Sequence, residues 1–126
     1  LARILEEVIG QVDNDEVTFL GHIGGDDFVA IVRPEKVDEV CRTVIRRFDE
    51  EVRYHYSPSD AARGYISATD RHGRPVRFPL VSLSIGVVTN MYKSIDSVAM
   101  VGKLAAEVKA KAKSIRGSTY YVDRRR

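Results

Sequence analysis

The chain has 126 residues, 44% of them apolar and 30% charged, and carries a formal net charge of +2. This is ordinary composition for a folded domain, long enough for one core and too short for two, and too near neutrality to suggest a polyanionic partner. One cysteine, Cys41, excludes an internal disulfide framework and suits a reducing compartment. No apolar run reaches the length of a membrane span and no stretch has the pattern of a signal peptide, so the expected location is the cytoplasm.

Leu1, Ile4, Leu5, Val8 and Ile9 recur at helical spacing from the first residue, which predicts a helix without a cap before it and further chain upstream. Asp13, Asn14 and Asp15 are a turn signal. The stretches "EVTFLGHI" (16–23) and "FVAIV" (28–32) are rich in β-branched and aromatic residues and predict two strands joined by "GGDD". Phe28, Ala30 and Val32 fall on one side of the second strand, Val29 and Ile31 on the other. A strand apolar on both sides is expected in the middle of a covered sheet.

Pro34 stands near the start of a strongly amphipathic segment whose stripe is Val37, Val40, Cys41, Val44, Ile45, Phe48 and Val52, the pattern of a helix packed on a core. Cys41 lies on that stripe and is expected to be a small core residue. Ser57 to Arg63 is predicted to be a loop. "GYISATD" and "RPVRFP" predict a hairpin turning at "RHG", and "LVSLSIGVVTN" another buried strand. A second long helix, opening at Ser94 or Asp96, carries Ile95, Val98, Ala99, Val101, Leu104, Ala105, Val108, Ala112 and Ile115 on its apolar face and is expected to end at Gly117. "STYYVD" is a last short strand. The order implies a mixed sheet with helices packed on it, an α/β or α+β domain.

The turn at Gly24–Asp27 stands out chemically. Glycines there allow a tight hairpin and a close approach of a phosphate to the backbone. Aspartates supply hard oxygen ligands suited to Mg²⁺, which usually keeps substrate phosphates among its ligands. Taken alone, the same residues are also what an ordinary hairpin turn uses.

Gly24, Gly25, Asp26, Asp27 and Phe28 resemble the signature of the GGDEF domain, the diguanylate cyclase domain of bacterial signalling. Ser84, Ile85 and Gly86 are similar to that family's Ser-x-Gly strand, and Ala112 and Lys113 to its Ala-Lys pair, followed by a glycine and a closing strand. The resemblance runs from residue 1 to about residue 123 and implies a palm-like mixed sheet flanked by helices. On it, two GTP molecules are condensed to cyclic di-GMP across a homodimer, under the control of an upstream sensory or receiver domain. The chemistry implied is two-metal phosphoryl transfer with Mg²⁺. By the same resemblance Asp26 is a catalytic metal ligand, Asp27 the second signature acid, and Gly24, Gly25 and Phe28 line the nucleotide. Lys113 meets the terminal phosphates as a point charge.

The departures shape the functional expectation. Asp27 stands where the family has glutamate, so charge is kept and reach is lost, in a chemistry that depends on positioning. His22 replaces an arginine and Ile23 an aromatic residue. Lys109 and Ala110 replace a leucine and a tyrosine, and Ser118 stands where an arginine follows the glycine, with Arg116 a possible substitute. Lys109 and Lys111 are read as solvated lysines. The family's second metal-binding aspartate belongs to a strand upstream of residue 1, so this chain by itself is expected to be inactive. Asp15 to Thr18 do not reproduce the family's inhibitory product site. Residues 55–79 are an atypical hairpin insertion, either a solvated edge or a docking surface. The expectation is thus a cyclic di-GMP signalling domain of weak or no activity, with an active cyclase as the alternative. An RNA-binding sheet using Tyr120 and Tyr121 is set aside for want of the accompanying aromatic pattern. His22, His55 and His72 share no metal-ligand spacing.

Overall fold

The computed structural model describes residues 1–12, 19–24 and 27–126. The turn expected at Asp13–Asp15, the positions Asp15 to Thr18, and Gly25 and Asp26 of the signature lie outside the described residues.

Helix α1 (Ala2–Val12) and helix α2 (Val37–Val52) pack together through the two stripes legible in the sequence. Ile4, Val8 and Ile9 of the first meet Val40 and Val44 of the second in one buried cluster, with Leu1, Leu5 and Phe48 at its margin. Burial of each such side chain contributes about 1.5–3 kcal/mol before entropy is counted. Arg47 closes the seam from outside. Its guanidinium lies 2.6 Å from Glu7 on α1 and 3.1 Å from Glu51 one turn along α2. Pro34 opens a 3-10 turn (Pro34–Lys36) before α2, as its fixed φ and missing N–H favour.

Strands β1 (Phe19–Gly24) and β2 (Asp27–Ile31) form an antiparallel hairpin in which Phe19 stands opposite Ile31 and Gly24 opposite Asp27, with an irregularity between His22 and Gly24. The expected double-sided cover of β2 is not what the fold provides. Val29 is 38% and Ile31 56% exposed, and among the described residues β2 pairs with β1 alone. A continuous apolar run marks which residues favour cover, not whether the chain supplies it.

The segment read as a loop from Ser57 to Arg63 is a helix, α3 (Pro58–Arg63). Ser57 caps it by accepting the Asp60 amide at 3.2 Å, Pro58 takes the first position, and Gly64 at φ +79° ends it. Each is a helix boundary signal in its own right. The segment is too short for periodicity to register.

Strands β3 (Tyr65–Thr69) and β4 (Pro75–Pro79) make the predicted antiparallel hairpin, Tyr65 opposite Pro79 and Thr69 opposite Pro75. Its turn is held by the Asp70 carboxylate, which accepts the amides of His72 at 2.8 Å and Arg74 at 2.9 Å. The prolines at both ends of β4 suit an edge strand. Arg63 and Arg77 both stack on the Tyr65 ring, at 5.5 and 4.8 Å from its centre.

Strand β5 (Ser84–Val87), helix α4 (Val98–Lys113) and strand β6 (Thr119–Val122) form a parallel β-α-β unit, Ser84 opposite Thr119 and Val87 opposite Val122. β5 is shorter than the predicted 80–90 strand and half-buried throughout. α4 starts later than expected, behind Ser97, whose hydroxyl accepts the Met100 amide at 3.1 Å. Leu104, Val108 and Ala112 are its buried stripe, while Val98 is 89% exposed. The helix ends at Ser114, and Gly117, at φ +83°, serves the turn into β6 rather than the cap itself.

The class is mixed α+β, as the sequence implied. The described strands pair in three two-stranded ladders, β1–β2, β3–β4 and β5–β6. No helix among the described residues is long and apolar enough to cross a membrane.

Candidate functional site

Strand β5 carries two opposite instructions in adjacent residues. Leu83 and Ile85 turn toward the α1–α2 core. Gly86, one residue out of phase, faces α4. With no side chain in the way, α4 approaches so closely that a Cβ on Gly86 would sit 2.8 Å from the Lys109 nitrogen and 2.9 Å from a Val108 methyl. Real Cβ atoms do not come that near, so glycine is required for this packing.

That approach brings Lys109 to the signature hairpin. Its ammonium makes a charged hydrogen bond to a carboxylate oxygen of Asp27, the first residue of β2. The two side chains are 38% and 54% exposed. The Lys109 hydrogen bond holds the Asp27 carboxyl below the usual aspartate range, reinforced by the Lys109 charge and, from one turn further along α4, by Lys113. The reading of Lys109 as a merely solvated lysine is therefore corrected. Its partner is 82 residues away in the sequence, and nothing local to α4 announces it.

The other residues singled out from the sequence divide around this pair. Lys113 lies at the end of α4, exposed, on the same face as Lys109. Gly24 stands opposite Asp27 in the hairpin, and Phe28, next to Asp27, is half-buried. Gly25 and Asp26 fall outside the described residues. Arg116 is exposed in the turn between α4 and β6, beyond the end of the helix that carries the lysines.

Ser118, at the position where the resemblance expects arginine, is fully used by the fold. Its hydroxyl donates to Asp49 of α2 at 2.5 Å and accepts the Leu83 amide at 3.0 Å. Tyr120 is likewise committed, donating to Asp38 at 2.9 Å. As adjacent residues of β6, Tyr120 and Tyr121 point to opposite faces and form no stacking platform. Cys41 is buried, and burial, with the nearby Asp38 charge, pushes its thiol up to about 12, which makes it inert.

The arrangement offers two ammonium groups one turn apart beside a carboxylate already neutralised by one of them. In that state one carboxylate oxygen of Asp27 is committed to the Lys109 ammonium. No group of three or more acidic, histidine or cysteine side chains is gathered among the described residues, so the described side chains do not by themselves fit a protein-held Mg²⁺. An open cleft of about 580 Å³, lined by Val32, Pro34, Val37, Val88, Thr89 and Asn90 among others, lies at the other end of β2, roughly 16 Å along the strand from Asp27.

Comparison of the chain with protein-family models, with curated proteins and with solved structures gives no match, and the candidate site stands on the residues just described.

Proposed function

We propose that this chain is a GGDEF-type, nucleotide-binding signalling domain of the cyclic di-GMP class, with weak or no cyclase activity. Support for the family comes from the order of its landmarks along the elements. Of the signature residues described, Gly24 closes β1 and Asp27 and Phe28 open β2, while Ser84-Ile85-Gly86 lies on β5 and Ala112-Lys113 closes α4.

The observation that carries the functional half is the ion pair between Lys109 and Asp27. A signature acid that is one methylene short and already holds an ammonium is poorly placed to help activate a hydroxyl or hold an ion, and phosphoryl transfer depends on such placement. Lys113, exposed at the helix end, provides a positive charge for the terminal phosphates. In this reading Mg²⁺ arrives with the triphosphate, and Asp26 is the residue the resemblance assigns to it. A palm-like single sheet, a homodimer and an upstream sensory or receiver domain belong to the same reading.

The test is titration calorimetry with GTP and ATP, with and without Mg²⁺, followed by chromatography of the products. Mg²⁺-dependent binding that prefers GTP, with cyclic di-GMP absent or formed only over hours, is the expected result. Rapid cyclic di-GMP formation abolished by Asp26→Ala would make the domain an active cyclase instead. No binding of either nucleotide would remove the reading.

A further inference from the structure

We propose that Lys109 is an exchangeable counter-ion of Asp27, and that the terminal phosphates of a nucleoside triphosphate draw its ammonium away, so that Lys109 and Lys113 together hold the phosphates and Asp27 is released. The inference rests on the nucleotide-binding reading above and adds to it a phosphate-binding residue and a means by which ligand alters the signature acid.

The pair has the properties that exchange requires. Both side chains are substantially open to solvent, and exposed ion pairs are weak enough to be traded for a better partner. A triphosphate is that better partner for an ammonium, since it presents several negative charges where Asp27 presents one. The lysine side chain is suited to the movement, being a point charge on a flexible four-carbon stem with no fixed hydrogen-bond geometry.

The backbone beneath it is fixed. Gly86 lets the α4 main chain at Lys109 sit directly against β5, so a change of partner is confined to the side chain and needs no movement of the helix. Lys113 is four residues further on the same face, where neighbouring side chains start about 5–6 Å apart, close enough for two flexible ammonium groups to converge on one polyphosphate. Lys113 has no ion-pair partner among the described residues, and its charge already acts on Asp27. Lys111, two residues from each, points to another side of the helix.

Release of Asp27 couples phosphate arrival to a new charge at the hairpin. Before exchange the carboxylate is matched by Lys109. Afterwards it stands beside the bound phosphates without its ammonium, and the charge at the start of β2 is no longer matched by α4.

A double-mutant cycle on this chain tests the exchange, with sodium tripolyphosphate as the probe and Asp27→Asn, Lys109→Met and the double variant compared with the unmodified protein. Asp27→Asn frees the lysine and is expected to tighten tripolyphosphate roughly fivefold, the scale of one exposed ion pair. Lys109→Met is expected to weaken it, and in that background the gain from Asp27→Asn should shrink below about twofold. The carboxyl ¹³C signal of Asp27 should shift as tripolyphosphate is added to the unmodified chain. An Asp27→Asn gain of equal size in the Lys109→Met background, an unresponsive Asp27 carboxyl, or no binding of tripolyphosphate would each overturn the proposal. GTP binding no tighter than tripolyphosphate, alongside a coupled cycle, would remove the nucleotide reading and leave the exchange standing.

Discussion

Gly86 on β5 and Lys109 on α4 meet backbone to backbone: a Cβ on the glycine would fall 2.8 Å from the lysine nitrogen and 3.1 Å from its Cα. Gly86→Ala must therefore push strand and helix apart. The expected cost is about 1–3 kcal/mol, the usual range for over-packing a close contact, read from the urea midpoint. The same variant should return the Asp27 carboxyl toward its ordinary titration, because Lys109 moves away with the helix.

Asp27 itself should titrate below the usual aspartate range in the unmodified chain, held there first by its hydrogen bond from Lys109. A depressed folded value means that the pair contributes stability at pH above the unfolded value and loses it as pH falls through the folded one. Both partners are exposed, so the effect on folding is small and the site is best followed at the carboxyl group. NMR titration of Lys109→Met should show Asp27 moved up most of the way to its ordinary value. An unchanged Asp27 would mean the ammonium is not its main perturber.

A stronger acid dependence belongs to Asp123. Its side chain is 1% exposed and takes Lys93 at 3.0 Å and Arg125 at 2.8 Å, with Arg125 also reaching Glu107 at 2.6 Å. The Arg125 hydrogen bond, then that of Lys93, holds its carboxyl far below the normal range, against the opposing effect of burial. This stabilisation is complete above the unfolded aspartate value, near 3.8, and fades as pH drops below it toward the folded value. Asp123→Asn leaves Lys93, only 15% exposed, without a counter-charge. A loss of roughly 2 kcal/mol at pH 7 is expected, less than for a fully buried pair because Arg125 reaches solvent. The difference from the unmodified chain should narrow below about pH 3 in acid-unfolding curves.

Cys41 should not react with a thiol reagent at pH 8 while the chain is folded. Its thiol is buried and raised to about 12, so the thiolate fraction is on the order of one in ten thousand at that pH. One equivalent should react promptly in denaturant. Fast labelling of the folded chain would show that the α2 stripe opens locally.

How much of this was legible in the sequence depends on the range of the interaction concerned. The α1 and α2 stripes, the hairpin from Tyr65 to Pro79 and the β-α-β order of the last third follow from periodicities within single segments. The α3 helix carried its signals in Ser57, Pro58, Asp60 and Gly64, but they are boundary signals with almost no interior between them. Exposure of Val29 and Ile31 depends on what packs over β2, which its own continuous apolar run cannot report. Lys109 was unreadable for another reason. Its partner is set by the approach of α4 to β5, which is set in turn by an absent side chain at Gly86. Ser118 is the counterpart of this: a departure from the pattern the resemblance expects that is a structural tie between β5 and α2.

The ionic contact of Asp123 with Lys93 also has a topological meaning. The Thr119 amide binds the Leu83 carbonyl and the Asp123 amide the Val87 carbonyl, each at 2.9 Å, so strand pairing holds β6 along the whole of β5. Lys93, in the segment leading to α4, is then tethered to the last residue of that ladder. The stretch from Leu83 to Arg125 is in effect a closed ring with α4 inside it, and its amides should exchange with solvent together, as one cooperative unit. Shortening the chain at residue 122 would break that ring at its fastening point and loosen the helix that carries both lysines, while leaving every residue of the helix in place.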